Sequence, residues 1–236
     1  MKIIYVFFFL SYFSSSSFGQ TKDIYKELKG SVNKAQVKDY DNMIKLYSEA
    51  IEKYPNHALS YNNRAIVKYH LKKKEGAIVD LNKAVEVSPY YLDAYYNRGV
   101  INCELKQYKS AIEDFKKIIS LDSSNAVSYY NIGVIRYKQE NYDLALQQFT
   151  TAIEISKKLD RAYNNRGVLL SNKEKYNDAL DQFSSAIALD DKEALYFKNR
   201  AKVYLKLSDR ENACADWQKA LELGASEDES LSKRCK

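Results

Sequence analysis

One short signature recurs in this chain at a single interval. Asn63-Arg64-Ala65, Asn97-Arg98-Gly99, Asn165-Arg166-Gly167 and Asn199-Arg200-Ala201 keep a period of 34 residues, and Asn131-Ile132-Gly133 fills the remaining slot. A period of this length belongs to a stack of small units, none of which can bury its apolar face alone, so the core runs along the stack. With the Gly or Ala placed at position 8, other columns align. Position 4 is Tyr61, Tyr95, Tyr129, Tyr163 and Phe197; position 20 is Ala77, Ala111, Ala145, Ala179 and Ala213. Position 24 is large throughout (Leu81, Phe115, Phe149, Phe183, Trp217), and position 27 is Ala84, Ile118, Ala152, Ala186 and Ala220. Steps of three and four put 4 with 8, and 20 with 24 and 27, on single helical faces. Each unit therefore reads as two helices meeting through small residues. Glycine at position 8 costs about 1 kcal/mol of helix propensity, which close packing has to offset.

Pro55 and Pro89 both fall at position 32, where a ring lacking N–H stops a helix, and Tyr40, Tyr108, Tyr142 and Tyr176 hold position 17. Together with the columns above, this pattern resembles the tetratricopeptide repeat. The resemblance implies an all-α fold, a right-handed superhelical solenoid of about six helix-turn-helix repeats. Their expected borders are 24–57 (degenerate, with Ile24, Leu28 and Val32 as its first stripe), 58–91, 92–125, 126–159, 160–193 and 194–227. A capping helix is expected over 226–236, started by Ser226 and Glu229 at capping-box spacing.

Residues 1–19 read as a secretory signal peptide: Lys2, an apolar run of eleven from Ile3 to Phe13, then Ser17-Phe18-Gly19, with cleavage expected before Gln20. Eleven residues fall short of the roughly 20 that span a bilayer. The expectation is an exported bacterial protein, periplasmic or otherwise in the envelope, without a stable membrane anchor after cleavage. In an oxidising compartment a disulfide can form. Cys214 takes position 21, aliphatic in the other units (Ile78, Ile112, Leu146, Leu180), and Cys235 shares a helical face with Leu231. A Cys214–Cys235 bridge would staple the cap, contributing on the order of 3 kcal/mol; two thiols that merely pack are the alternative. Cys103, at position 12, reads as a small filler.

The net charge of +6 comes from 37 basic and 31 acidic residues scattered along the helices. That describes a solvated surface and lacks the basic stripe of a nucleic-acid binder. The two histidines, His57 and His70, offer neither a partner for a catalytic cysteine nor a metal site. No phosphate loop or nucleophile elbow is present. Neither an enzyme, a metal nor another cofactor is expected.

Arginine occupies position 7 (Arg64, Arg98, Arg166, Arg200) where the resemblance leads one to expect leucine. Asp80, Asp114 and Asp216 stand at position 23, so Arg64–Asp80, Arg98–Asp114 and Arg200–Asp216 read as ion pairs between the two helices of a unit, because the guanidinium fork matches carboxylate. Unit three has Ile132 with Gln148, and unit four has Arg166 with Gln182 or Asp181. Arginines presented to a ligand are the alternative reading.

In the family resembled, first helices line a concave groove. Here position 6 is a row of asparagines, Asn63, Asn97, Asn131, Asn165 and Asn199, whose amides both donate and accept and so suit the backbone of an extended peptide; bonds local to the helices are the other reading. Tyr69, Tyr96, Tyr130 and Tyr137, with Asn62 and Asn164, join this candidate lining. Lys198, Lys202 and Lys206 step by four along one edge, either to hold an acidic group of a partner or as a solvated face. The function this points to is a scaffold binding a segment of another protein. A glycan- or peptidoglycan-binding module and a chaperone-like accessory of a secretion machine are the alternatives.

Overall fold

The computed structural model describes residues 40–235. The expected signal peptide, its expected cleavage point and the Ile24, Leu28, Val32 stripe lie outside the described residues. Among the described residues all regular structure is helical. In chain order the helices are α1 (Tyr40–Lys53), α2 (Ala58–His70), α3 (Lys74–Val87), α4 (Leu92–Glu104), α5 (Tyr108–Leu121) and α6 (Ala126–Lys138). They continue with α7 (Tyr142–Ile155), α8 (Asp160–Asn172), α9 (Tyr176–Leu189), α10 (Ala194–Lys206), α11 (Arg210–Glu222) and α12 (Glu229–Ser232). From α2 to α10 the even helices are the first helices of units one to five, and α3 to α11 the second. The result is an α-solenoid in which each helix packs on its neighbours in sequence. First helices also touch along the stack, α2 with α4 and α8 with α10. The first helices thus line the inner side of the curve.

The turn within each unit passes through one left-handed residue at position 15: Lys72, Lys106, Glu140, Glu174 and Ser208, with φ between 60° and 65°. The next N–H then closes back on the carbonyl at position 11, as in Lys73 to Lys68 at 2.9 Å and Gln107 to Asn102 at 2.8 Å. This 6→1 closure satisfies carbonyls that would otherwise be orphaned at the helix end. No glycine marks these positions, so the sequence does not announce them.

The core follows the columns. Phe115, Phe149 and Phe183 are buried, and the position-20 alanines and the alanines at position 27 are sealed from solvent. Glycine at position 8 accompanies phenylalanine at 24 for a steric reason: a Cβ on Gly133 would lie 2.7 Å from Phe149 Cε1, and one on Gly167 2.8 Å from Phe183 Cε1. Where position 8 is alanine, at Ala65 and Ala201, position 24 is Leu81 and Trp217.

The cap departs from expectation. Its helix spans only Glu229–Ser232, and Asp228, not Ser226, stands at the N-cap. The Ser226 carbonyl is instead taken by Lys198 at 3.4 Å, and Asp228 accepts from Ser230 Oγ at 2.6 Å. Charges on α10 hold this segment extended before it can wind. Leu231 nevertheless fills the end of the core, as its shared face with Cys235 implied.

Gly133→Ala is expected to destabilise the protein by about 1–3 kcal/mol through overpacking. Adding Phe149→Leu, which copies the Ala65 and Leu81 arrangement, should recover most of that loss in urea or thermal melts.

Candidate interaction face

The arginines at position 7 point inward to the fold. Arg64 donates from Nε to Asp80 Oδ2 at 2.9 Å and from Nη2 to Oδ1 at 2.7 Å. Arg98 grips Asp114 at 2.6–3.1 Å, and Arg200 grips Asp216 at 2.7 and 2.8 Å. The remaining Nη1 reaches back to the second helix of the preceding unit: Arg64 to Ser48 at 3.0 Å, Arg98 to Asn82 at 2.8 Å and Arg200 to Ser184 at 2.9 Å. Each guanidinium so joins three helices, with its Nε and both Nη nitrogens engaged inside the fold. Burial pushes the Asp114 carboxyl up against the pull of Arg98. In unit four Arg166 takes Gln182 rather than Asp181, and burial lowers its pKa. In unit three Ile132 is buried without an ion pair.

The asparagine row is also partly consumed by the fold. Asn97 donates to Asn62 Oδ1 at 2.9 Å, Asn62 donates to Asn63 Oδ1 at 3.3 Å, and Asn63 reaches Tyr47. The same arrangement recurs as Asn199 to Asn164 at 2.8 Å, Asn164 to Asn165 at 3.1 Å and Asn165 to the Tyr130 hydroxyl at 3.4 Å. Asn62 and Asn164 are 3% and 4% exposed and so tie units together instead of lining a surface. An amide that makes one or two such bonds still keeps an N–H or a lone pair for another partner. Between the two runs stands a gap. Unit two has Tyr96 where a bridging asparagine would be, and Asn131 bonds the Val127 carbonyl of its own helix at 3.0 Å.

At that gap the inner face is open and apolar. Tyr96, Val127 and Tyr137 are 36%, 39% and 39% exposed. Tyr96 is held edge-on to Phe115, and Tyr137 to Tyr142, with ring centroids 6.1 and 5.5 Å apart. Of the other two tyrosines, Tyr130 is half-buried against Phe149. Tyr69 donates to Glu104 Oε1 at 2.7 Å, and burial followed by this bond pushes its pKa up to about 12. Burial opposes the Glu104 carboxylate, yet the Tyr69 hydroxyl and Lys74 at 2.9 Å hold its pKa below the ordinary value. Tyr69 thus fastens unit one to unit two.

The lysine edge is already engaged. Lys198 and Lys202 meet Asp228 Oδ2 at 3.2 and 2.8 Å, and Lys198 lies 5.8 Å from the Trp217 ring centroid. Hydrogen bonds from Lys202 first, then Ser230 and Lys198, hold the Asp228 carboxyl well below the usual carboxylate range. Lys206 is exposed. An acidic group does sit on this edge, and it is the chain's own. Sequence reasoning missed Asp228 because it lies beyond the last period. Cys214 and Cys235 form a disulfide, with S–S 2.06 Å and Cα atoms 5.2 Å apart, which ties the segment carrying Asp228 to α11. Cys103 is half-buried with its Sγ 3.8 Å from Lys138 Nζ, and burial raises its pKa. Among the described residues no group of three His, Cys, Asp or Glu side chains is placed to hold a metal ion.

Tetratricopeptide-repeat family models match residues 92–125, 126–159 and 160–193. No curated protein matches the chain in sequence. Among solved structures the chain is similar to YrrB, described as a TPR protein with an unusual peptide-binding site, at 27% identity over 79% of this chain and 95% of that one, with a TM-score of 0.60. It shares its fold with MamA from Desulfovibrio magneticus RS-1, at 22% identity over 72% and 97% of the two chains and a TM-score of 0.62. A repeat protein from Cytophaga hutchinsonii, matched through its C-terminal part, gives 19% identity over 86% and 78%, with a TM-score of 0.67.

Arg98→Ile alone should cost about 3 kcal/mol, because the buried Asp114 is left without its counter-ion. Arg98→Ile with Asp114→Gln copies unit three and is expected to lie within about 1 kcal/mol of the parent, since an apolar replacement of such a pair is close to neutral. Chemical denaturation of the two variants makes the comparison.

Proposed function

We propose that this chain, whose residues 92–193 match tetratricopeptide-repeat models, is a non-catalytic scaffold that holds an extended segment of another protein against its first helices, in keeping with the protein–protein interaction such repeats mediate. The observation that carries this reading is the gap between the two asparagine runs. There the face offers exposed Tyr96, Val127 and Tyr137 beside the amide of Asn131. Tyrosine contributes a large contact area at low entropic cost, and an adjacent amide matches peptide N–H and C=O groups. The similarity to YrrB, a protein described as having a peptide-binding site, supports the same direction. Because the leader reads as a signal peptide, we place the scaffold in the periplasm or elsewhere in the cell envelope. Protein recovered from cells should then begin at Gln20 by intact mass.

A photo-crosslinking residue at Tyr96 tests the ligand class. A product digested by protease supports a protein partner, and one digested by glycosidase or muramidase in its place overturns this in favour of a glycan ligand. Tyr96→Ala and Tyr137→Ala are expected to weaken partner binding about tenfold or more, as truncation of aromatic anchors commonly does. Both side chains are exposed, so the melting temperature should stay near that of the parent.

A further inference from the structure

The end of the inner face differs from its middle. Where units two and three leave tyrosines open, unit five is covered by residues that follow its second helix. Gly224, in the left-handed region at φ 85°, turns the chain out of α11. Asp228 then lies against α10 with both Lys198 and Lys202, its side chain 14% exposed. Beside it the Ser226 carbonyl accepts from Lys198. A backbone carbonyl and a carboxylate two residues apart, both taken by side chains of a first helix, is how an acidic peptide would bind here.

We infer that Lys198 and Lys202 form a carboxylate-binding subsite for an acidic stretch of the partner, and that the segment 225–231 of this chain occupies it as a built-in competitor. This rests on the proposed use of the same face for peptide binding. Chemistry favours an acidic occupant for the whole edge: Lys206 stands one turn beyond Lys202, exposed, and among the described residues it forms no ion pair. The competitor is strongly tethered. Leu231 is buried in the terminal core and the Cys214–Cys235 bridge closes the segment onto α11. Tethering gives an internal ligand an effective concentration on the order of millimolar or more, so an external carboxylate must exceed it or bind through neighbouring contacts first. A partner anchored at Tyr96 and Tyr137 would bring its acidic stretch to the subsite as an intramolecular step.

A fluorescent peptide of sequence Ala-Ser-Glu-Asp-Glu-Ser-Leu, copied from residues 225–231, tests this by anisotropy against the full chain, with Ala-Ser-Gln-Asn-Gln-Ser-Leu as the neutral control. Asp228→Asn should bind the acidic peptide at least tenfold more tightly than the parent, and Asp228→Asn with Lys202→Gln should lose that gain. The neutral peptide should not discriminate. A second measurement uses the unaltered protein: excess acidic peptide should speed amide hydrogen exchange in 225–231, and the neutral peptide should not. The inference is overturned if Asp228→Asn, with an unchanged melt and intact disulfide, gains nothing, or if the neutral peptide gains equally, or if exchange is unmoved. Failure on these counts with Tyr96 crosslinking to protein intact removes the subsite alone; loss of that crosslinking removes the underlying peptide-binding reading.

Discussion

The three-helix grip of the position-7 arginines is the interaction that orients units one, two and five on the units before them. Packing within a unit can be supplied by alanine, glycine and phenylalanine, but apolar contact is non-directional and lets helix pairs slide. A guanidinium fork fixes angle and depth together. In Arg64, Arg98 and Arg200 two donors bind the aspartate of the unit's own second helix, while Nη1 crosses to Ser48, Asn82 or Ser184 of the unit before. One side chain thereby sets both the pairing inside a repeat and the step to the next. Ion pairs of this kind are weak evidence for stability, because desolvation cancels much of the attraction; fixing geometry is the better-founded role for these ones.

That role explains why the inner face is polar yet mostly unavailable. With units held in one register, position 6 of a unit falls beside position 5 of the unit before it. Asparagine at both places links Asn97 to Asn62 and Asn199 to Asn164, and the buried amides are satisfied. Ligand-accessible surface then appears where the run fails. Unit three is the exception twice over, with Ile132 in place of arginine and Asn131 turned onto its own helix. The least internally committed repeat is thus the one beside the exposed tyrosines.

The fold was legible because close packing restricts residue size: only Gly fits where Phe115, Phe149 or Phe183 presses on the first helix, Ala stands where position 24 is Leu81 or Trp217, and that restriction repeats every 34 residues. Charge complementarity between positions 7 and 23 was legible for the same reason, with Arg166 and Gln182 as the irregular case. What stayed hidden has no periodic or compositional mark. The left-handed residues at position 15 are lysines, glutamates and a serine, tolerated because the 6→1 bond and the packing of both helices over-determine the turn. Spacing also could not tell a bridging asparagine from a presented one, since a period reports position along the chain and not which neighbour an amide meets. The capping-box reading of Ser226 failed because local helix signals compete with two lysines on α10, and the charged contact won.

A solenoid has no natural end: each repeat exposes the face its successor would cover, so the last must be closed by something unlike a repeat. Here the same eleven residues, 225–235, meet three demands at once. Leu231 seals the apolar face, Cys235 secures it to α11, and Asp228 neutralises lysines that the inner surface presents. The first two need only a short helix turn. The third does not follow from capping, since lysine head groups on a first helix can remain hydrated at little cost. A terminal segment that reaches onto the inner face to satisfy them has gone further than closure requires. Charge placed on a surface and then covered from within fits the proposed competition between residues 225–231 and an acidic stretch of a partner.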